Sequence, residues 1–303
     1  MARALGLLGT GSVVLALGWV VAGAAGADGT SRPPALLTHD ALQARLADPH
    51  LRLLDVRPRE AFETGHLPGA VRVDPKATAS LAARAGGLTD RDAWEAWAAP
   101  LGIGPETEVY VYDDQRQVDA ARVWWLLRYL GVEKVGLIDG GFSLWAGRGR
   151  PVSKAPTSVP PQPLRVAFRK ERLATREDAL AALASGRDQF VDARSRDEYT
   201  GAQAKSRRGG HVPTACHLEW TELVDPQGRF REPTVLTSRL ARSGVKPGGA
   251  VITHCQGGGR ASVDAFVLER LGIPTRNYYL GWSDWGNADE TPVANGPEPG
   301  AKP

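Results

Sequence analysis

A cysteine that precedes three glycines and an arginine is the strongest sign of chemistry in this 303-residue chain. Residues 251–254 read as a short apolar strand, Cys255 follows it, and a helix begins near Arg260. Because glycine has no Cβ, the N–H groups of such a loop can turn towards one point, where the helix N-terminus and Arg260 add positive charge. These features favour a thiolate, so we expect Cys255 to be a nucleophile presented to solvent. The predicted active-site loop around it consists of Gln256, Gly257, Gly258, Gly259 and Arg260.

The length of this loop separates two kinds of anion chemistry. Protein phosphatases of the cysteine type have His-Cys, five residues and then Arg, whereas four residues separate Cys255 from Arg260. The shorter ring suits the single outer sulfur of a persulfide better than a tetrahedral phosphate. His254 completes part of the phosphatase signature, so a phosphatase or an arsenate reductase stays open as a disfavoured alternative.

The composition is that of a globular protein with room for two domains. The chain has 37 Lys or Arg and 34 Asp or Glu residues, a formal net charge of +3. No run of basic residues occurs, so we expect no nucleic-acid partner. His211 and His217 lack other ligand types at the spacing of a metal site, so we predict neither a metal nor another cofactor.

The first residues differ in kind from the rest. No charged residue occurs from Ala4 to Ala27, Arg3 precedes this stretch, and small residues near its end provide a cleavage site. We predict a secretory signal peptide over residues 1–27 and an extracytoplasmic protein, periplasmic or secreted. An uncleaved membrane anchor formed by the same segment is the alternative, since the stretch is just long enough to span a bilayer.

Two cysteines in an exported chain raise the question of a disulfide. Cys216 lies in a short apolar run that reads as a buried strand, and a bridge to Cys255 would remove the thiolate. We therefore predict that the active protein has no disulfide and that Cys216 is a small core residue.

The chain contains an internal repeat of about 140 residues, the length of one domain. Leu-Leu-Asp-Val-Arg at 53–57 recurs as Phe-Val-Asp-Ala-Arg at 190–194, and Gly-His-Leu-Pro at 65–68 as Gly-His-Val-Pro at 210–213. Further pairs follow in the same order: 109–112 with 251–254, 130–131 with 271–272, and 142–145 with 282–285.

Each half alternates short apolar runs with helical patterns, which predicts an α/β domain with a mainly parallel sheet flanked by helices. Thr175 is the predicted N-cap of a helix in the second half. In such sheets ligands bind beyond the carboxyl ends of strands, where Cys255 lies. We divide the chain into an N-terminal domain at 34–150, a proline-rich linker at 151–170, a C-terminal domain at 171–294 and a disordered tail at 295–303.

Asp113 takes the place of Cys255 in the first half. The loop after it is one residue longer and contains no glycine before Ala120. We predict that this loop cannot form the same anion cradle. The first domain would then be an inactive copy that builds one wall of the active-site cleft.

Nearly the whole chain after the signal segment resembles the tandem-domain rhodanese family of sulfurtransferases. The resemblance rests on Asp-Val-Arg and Gly-His-Leu-Pro-Gly, Val-Trp-Trp, Gly-Gly-Phe-x-x-Trp, Asp-Ala-Arg and Gly-His-Val-Pro, Cys-x-x-Gly-x-Arg-Ala, and Trp-Ser-x-Trp-Gly. It implies two rhodanese-like domains, of which the second carries the sulfur. It also implies a double displacement in which Cys255 takes the sulfane sulfur of a donor such as thiosulfate and passes it to cyanide or a thiol.

The choice of donor depends on residues outside the loop. In the thiosulfate branch of the family two basic residues commonly follow the cysteine, where this chain has Gln256 and Gly257. In the mercaptopyruvate branch two upstream arginines hold the carboxylate; Arg207 matches one, and acidic Asp197 or Glu198 occupies the other position. Since that carboxylate would repel mercaptopyruvate, we favour thiosulfate or a related persulfide donor.

Two arginines complete the predicted site. Arg207 would bind the distal oxygens of thiosulfate, and Arg194 is a second candidate for substrate binding, with the alternative that it pins the active-site loop. A 3-mercaptopyruvate sulfurtransferase is the nearest alternative activity, and a non-enzymatic persulfide carrier is the alternative from another class. We expect a monomer with small-molecule partners and no stable membrane insertion after cleavage of the signal.

Overall fold

The computed structural model describes residues 35–300, so the signal peptide predicted at 1–27 lies outside the described residues. The described chain folds into two α/β halves, each built on one sheet whose neighbouring strands pair in parallel. This confirms the predicted fold class. Within the same residues, no helix is long and apolar enough to cross a membrane.

From residue 35 onwards, the first half contains five strands and six helices. The strands are β1 (Ala35–Leu37), β2 (Leu51–Asp55), β3 (Val71–Arg72), β4 (Glu108–Tyr112) and β5 (Val135–Ile138). The helices are α1 (His39–Gln43), α2 (Arg59–Thr64), α3 (Pro75–Ala83), α4 (Arg91–Ala98), α5 (Val118–Tyr129) and α6 (Gly141–Gly147). Short 3₁₀ turns lie at Gly87–Thr89 and Ala99–Leu101. The strand order is β1-β5-β4-β2-β3, so β4 is central and Asp113 follows its carboxyl end.

The second half repeats this plan with four strands. They are β6 (Gln189–Asp192), β7 (Cys216–His217), β8 (Val251–His254) and β9 (Thr275–Tyr278), in the order β7-β6-β8-β9. The helices are α7 (Arg176–Ser185), α8 (Arg196–Thr200), α9 (Pro233–Ser243), α10 (Gly259–Arg270) and α11 (Gly281–Trp285). Short 3₁₀ turns lie at Lys170–Arg172 and Trp220–Glu222. Cys255 follows β8, an inner strand of this sheet.

Local sequence explains how these elements begin. Thr175 caps α7, as predicted: its Oγ1 accepts from the Asp178 N–H (3.1 Å), and the Asp178 carboxylate accepts from the Thr175 N–H (2.9 Å). All four residues of β8 are buried, as expected for an inner strand of a parallel sheet covered on both faces. The chain then passes directly from β8 through Cys255 into the loop before α10.

The two halves pack against each other through α5 and α10. Trp124 of α5 meets Phe266 of α10 edge-on, with 4.9 Å between ring centroids. Trp125 stacks on Tyr279 at 5.1 Å, and all four side chains are buried. Such buried aromatic pairs contribute more than their area alone. The interface is therefore continuous with the apolar core of the first half.

The segment that follows each half is bonded to that half. Residues 154–169 contain no helix or strand, and Ser153 just before them makes an isolated bridge with His66. Near the end of the described chain, the Pro299 carbonyl accepts from the Thr214 N–H at 2.6 Å. The disorder expected for residues 295–303 stays a prediction.

Candidate active site

A buried aspartate–arginine pair fixes the carboxyl end of β6, beside the strand that leads to Cys255. Arg194 Nε donates to Asp192 Oδ1 (2.9 Å), and Nη2 donates to Asp192 Oδ2 (2.6 Å) and to the Gly210 carbonyl (2.6 Å). The guanidinium lies 4.3 Å from the centroid of the Trp282 ring. Arg57 makes the corresponding bonds after β2 in the first half. The repeat therefore conserves a scaffold at the edge where the reactive loops lie.

These contacts do not support the prediction that Arg194 binds substrate. Its side chain is 1% exposed, and Nε and Nη2 already donate to protein oxygens. Its geometry agrees with the alternative, that Arg194 fixes the surroundings of the active-site loop. Asp192 likewise accepts the Arg194 N–H (3.0 Å), which ties the strand to the loop.

Cys255 is buried, with 2% of its surface exposed, so the expectation that it is presented to solvent was wrong. It packs with Ala193 and Ala261, and Trp220 lies against this cluster. The N-terminus of α11 covers the back of the loop, where the Trp282 N–H donates to the Cys255 carbonyl (2.7 Å). A molecule that reacts with this sulfur must therefore bring a small group to it.

The glycines of the loop serve different purposes. Of the three, only Gly258 has a left-handed φ (+81°). A Cβ on Gly258 would lie 2.4 Å from the Tyr279 ring, and a Cβ on Gly259 would lie 2.4 Å from Arg122 Nη2. A Cβ on Gly257 would meet nothing within 4 Å. Gly258 and Gly259 are therefore required by close neighbours. The neighbour of Gly259, Arg122, belongs to the first half.

The charge of Arg260 is neutralised by Glu198, one of the two acidic residues expected from the sequence only to repel a substrate carboxylate. Its Nη1 and Nη2 donate to the two carboxylate oxygens of Glu198 (2.6 and 3.0 Å), and Lys205 Nζ lies 3.3 Å from Glu198 Oε1. Burial alone would raise the pKa of Glu198, but Arg260 and the other donors lower it to about 2. Glu198 is therefore ionised at neutral pH. The sequence Ser-x-x-Glu from Ser195 is a capping box, a signal that could have placed Glu198 at a helix N-terminus.

The side chain of Arg207 bonds to protein groups other than the substrate site that was predicted for it. Its Nη2 donates to the Asn287 carbonyl (2.8 Å) and pairs with Asp289. Ser206, the residue before Arg207, contacts the loop instead: Gln256 Nε2 donates to Ser206 Oγ (3.1 Å). The structure therefore does not support Arg207 as the residue that holds the donor.

The first-half loop does form an anion cradle, contrary to the prediction. Both carboxylate oxygens of Asp113 accept backbone N–H groups at 2.9–3.0 Å. The donors are Gln115, Gln117, Asp119 and Ala120. Arg116 (φ +52°) and Gln117 (φ +76°) take the left-handed angles without glycine. Burial raises the pKa of Asp113 to about 6, and the amide donors oppose that rise. The loop is thus filled by its own side chain.

A close backbone contact recurs behind both loops. A Cβ on Gly281 (φ +52°) would lie 2.2 Å from the Cys255 carbonyl oxygen, and a Cβ on Gly141 (φ +59°) would lie 2.3 Å from the Asp113 carbonyl oxygen. In both places the start of a helix presses on the residue after the central strand. Glycine is required there by space and by backbone conformation.

We expect Gly281→Ala to lower both stability and the rate of sulfur transfer, because the added Cβ must displace the Cys255 carbonyl. The strain costs about 1–3 kcal/mol. Gly141→Ala is the matched control: it should lower the melting temperature similarly while Cys255 keeps its position. Steady-state transfer rates and thermal melts check this. A wild-type kcat in a destabilised Gly281→Ala variant would show that this contact does not position the nucleophile.

The two cysteines are both free. Cys216 lies in β7 and is half-buried, so it is less enclosed than the predicted core residue; burial raises the pKa of its thiol.

In residues 35–300, no group of three or more His, Cys, Asp or Glu side chains is arranged to hold a metal ion.

Two parallel α/β domains, a cysteine loop at the carboxyl end of an inner strand and a cysteine-free copy of that loop define the class of this protein. The model of the rhodanese-like domain matches the chain twice, at residues 38–148 and 175–288. The chain belongs to the rhodanese family, and it is an enzyme of the sulfurtransferase type.

Named relatives cover most of the chain. The thiosulfate sulfurtransferase of Azotobacter vinelandii is 35% identical over 254 residues, 83% of this chain and 94% of that protein. The sulfur carrier protein TtuD of Thermus thermophilus is 30% identical over 298 residues, 89% of this chain and 100% of that protein. The solved structure of SseA from Escherichia coli, a 3-mercaptopyruvate sulfotransferase, is 26% identical with a TM-score of 0.73, and the match covers 82% of this chain and 99% of that one.

Proposed function

We propose that this protein is an exported thiosulfate sulfurtransferase that carries the transferred sulfur as a persulfide on Cys255. The observation that supports this best is the pair of corresponding loops. In the first half, backbone N–H groups surround the carboxylate of Asp113; in the second, Cys255 occupies the same place. Within residues 35–300 the N–H groups of Gln256 and Gly257 have no acceptor, so they are free to serve a sulfur anion.

The proposed reaction has two displacements at one sulfur atom. The Cys255 thiolate attacks the outer sulfur of thiosulfate, an S–S bond forms, and the S–S bond of thiosulfate breaks as sulfite leaves with its electron pair. Cyanide or a thiolate then attacks the outer sulfur of the persulfide. Thiocyanate or a new persulfide leaves, and the Cys255 thiolate is restored.

Two exposed cations near the loop are better placed than Arg207 to hold the oxygens of the donor. Lys205 Nζ lies beside the Glu198–Arg260 pair, and its side chain is 47% exposed. Arg116 belongs to the first half, but its guanidinium lies 5.0 Å from the centroid of the Trp220 ring, which packs against the Cys255 cluster. We propose that these two side chains attract the sulfonate end of thiosulfate.

The preference for thiosulfate is tested by comparing kcat/KM for thiosulfate and for 3-mercaptopyruvate, with cyanide as acceptor. We expect the higher value for thiosulfate, because an acidic residue, Asp197 or Glu198, occupies the position from which a second arginine would hold a carboxylate. Lys205→Ala should raise KM for thiosulfate, with Lys246→Ala, an exposed lysine of the same domain, as the control. A higher kcat/KM for 3-mercaptopyruvate would contradict the proposed donor.

A persulfide carrier is the second candidate function, and the relative that favours it is the sulfur carrier protein TtuD. A carrier would accept sulfur from a protein persulfide and remain unmodified by free thiosulfate. The burial of Cys255 favours a small donor over a protein donor, because only a narrow approach to the sulfur is open.

Export, an inactive first domain and a monomeric state complete the proposal. Export is supported by the uncharged stretch from Ala4 to Ala27. The mass of the mature chain, recovered after fractionation of the cells that produce it, tests cleavage and location together. The inactive first domain is supported by Asp113, whose side chain cannot carry a sulfur atom.

A further inference from the structure

Arg122 of α5, in the half without a reactive cysteine, reaches the active-site loop of the other half. Its Nη1 donates to the Gly257 carbonyl (2.7 Å) and to the Tyr279 hydroxyl (3.0 Å). The Arg122 side chain is 16% exposed, and the helix that carries it is held by the buried pairs Trp124–Phe266 and Trp125–Tyr279. A rigid helix interface therefore fixes the position of this guanidinium.

The loop sequence is adapted to this contact. Gly259 leaves space for Arg122 Nη2, and Gly258 leaves space for the ring of Tyr279, the residue that accepts from Arg122. Any larger residue at either position would have to displace one of these two groups. Two of the three glycines beside Cys255 are thus explained by Arg122 and its partner.

Arg122 differs in its hydrogen-bond partners from Arg260, the arginine of the Cys-x-x-Gly-x-Arg-Ala motif. Arg260 makes two short hydrogen bonds to the carboxylate of Glu198, so its charge is neutralised locally. Arg122 donates to two neutral oxygens. The charged and titratable groups that face Arg122 are Asp119 on its own helix, 4.0 Å away, Tyr279 after β9, and Cys255. Cys255 is also faced by two residues of α10, Arg260 and the buried Asp264. Burial alone would lower the pKa of Arg122, but Tyr279 and Cys255 raise it.

We propose that Arg122 is a positioning residue for Cys255: it holds the Gly257 carbonyl, orients the loop, and brings a guanidinium from the first domain to the loop of the second. The proposal rests on the proposed function only in assigning the sulfur anion to Cys255. It gives the cysteine-free domain a direct part in the reactivity of the other domain.

The test is the pH profile of Cys255 alkylation by iodoacetamide, read from the mass of the peptide that contains Cys255. The midpoint of this profile reports the thiolate directly and does not depend on how easily the reagent enters the cleft. We expect Arg122→Gln to move the midpoint to higher pH by about one unit, with a roughly tenfold slower reaction at a pH well below the midpoint. Arg122→Lys should restore part of the shift, and Tyr279→Phe should shift the midpoint less than Arg122→Gln.

Arg128→Gln is the matched control, because Arg128 is a buried arginine of the same helix whose Nη1 donates to the Glu133 carbonyl (2.7 Å). Its profile should equal that of the wild type even if its melting temperature falls. Unchanged profiles in both Arg122→Gln and Tyr279→Phe would overturn the proposal. If thiosulfate fails to load sulfur on the wild type, the proposed donor is wrong, whereas the alkylation profiles still decide the role of Arg122.

Discussion

Cys255→Ser is expected to lower thiosulfate:cyanide sulfur transfer by at least about 1,000-fold, because removal of a covalent nucleophile leaves only the binding contributions of the site. A serine hydroxyl cannot form a persulfide, and the loop offers no other sulfur. The measurement is kcat/KM for thiocyanate formation. A matched thermal melt should show little change, since the hydroxyl occupies nearly the same space as the thiol.

The second cysteine of the chain provides the control for this prediction. Cys216 lies in β7, at the far edge of the second sheet from β9, and is not part of the Cys255 cluster. Cys216→Ser should keep the wild-type rate. Loss of activity in Cys216→Ser together with retained activity in Cys255→Ser would show that Cys216, and not Cys255, carries the sulfur.

Arg194→Met is expected to lower the free energy of unfolding by about 3–5 kcal/mol, because it leaves a buried carboxylate without its cation. Burial alone would raise the pKa of Asp192, but neighbouring groups hold it well below its usual range. Because burial lowers the pKa of His254 to about 4, that ring is uncharged at neutral pH and Arg194 is the cation beside Asp192. Chemical denaturation at pH 7 measures the loss.

Two further variants show whether the cost comes from the unpaired charge. The double variant Asp192→Asn/Arg194→Met should be more stable than Arg194→Met, since no buried charge remains. Arg57→Met removes the corresponding arginine of the first half, 4% exposed, and should cost a similar free energy. The stability due to the Asp192 pair should fade as the pH falls below about 4, where the aspartate of the unfolded chain becomes protonated. Equal stability of Arg194→Met and the wild type at pH 7 would contradict this account.

Local patterns account for the features that the sequence predicted correctly. The strand before Cys255 and the N-cap at Thr175 each depend on residues within a few positions. The repeat was detectable because the same local patterns occur twice in the same order. These features were enough to predict two parallel α/β domains and the place of the reactive cysteine.

The features that the sequence did not reveal depend on distant partners. Arg207 has the residue type and loop position for substrate binding, but Asp289 and the Asn287 carbonyl engage its side chain. Arg122 lies 135 residues from Gly257 in the chain, and no pattern in either segment predicts their contact. Residue type and position suggest a role for each side chain, whereas the role it can play depends on which partner occupies its polar atoms.

The first-half loop shows how one energetic term outweighs another. The prediction assumed that a loop without glycine could not curl around an anion. Left-handed angles at Arg116 and Gln117 cost about 1–2 kcal/mol each. Hydrogen bonds to a charged group contribute about 1.5–3 kcal/mol each, and Asp113 accepts four of them. The four bonds to the carboxylate oppose both the strain and the cost of burying Asp113, and the extra residue provides the length.

The most direct test of the central claim is the intact mass of the protein after incubation with thiosulfate and removal of the small molecules. We predict that the wild type and Cys216→Ser gain the mass of one sulfur atom, that Cys255→Ser gains none, and that cyanide removes the added sulfur. A wild-type mass unchanged by thiosulfate, or a gain that persists in Cys255→Ser, would contradict the assignment of Cys255 as the residue that carries sulfur from thiosulfate.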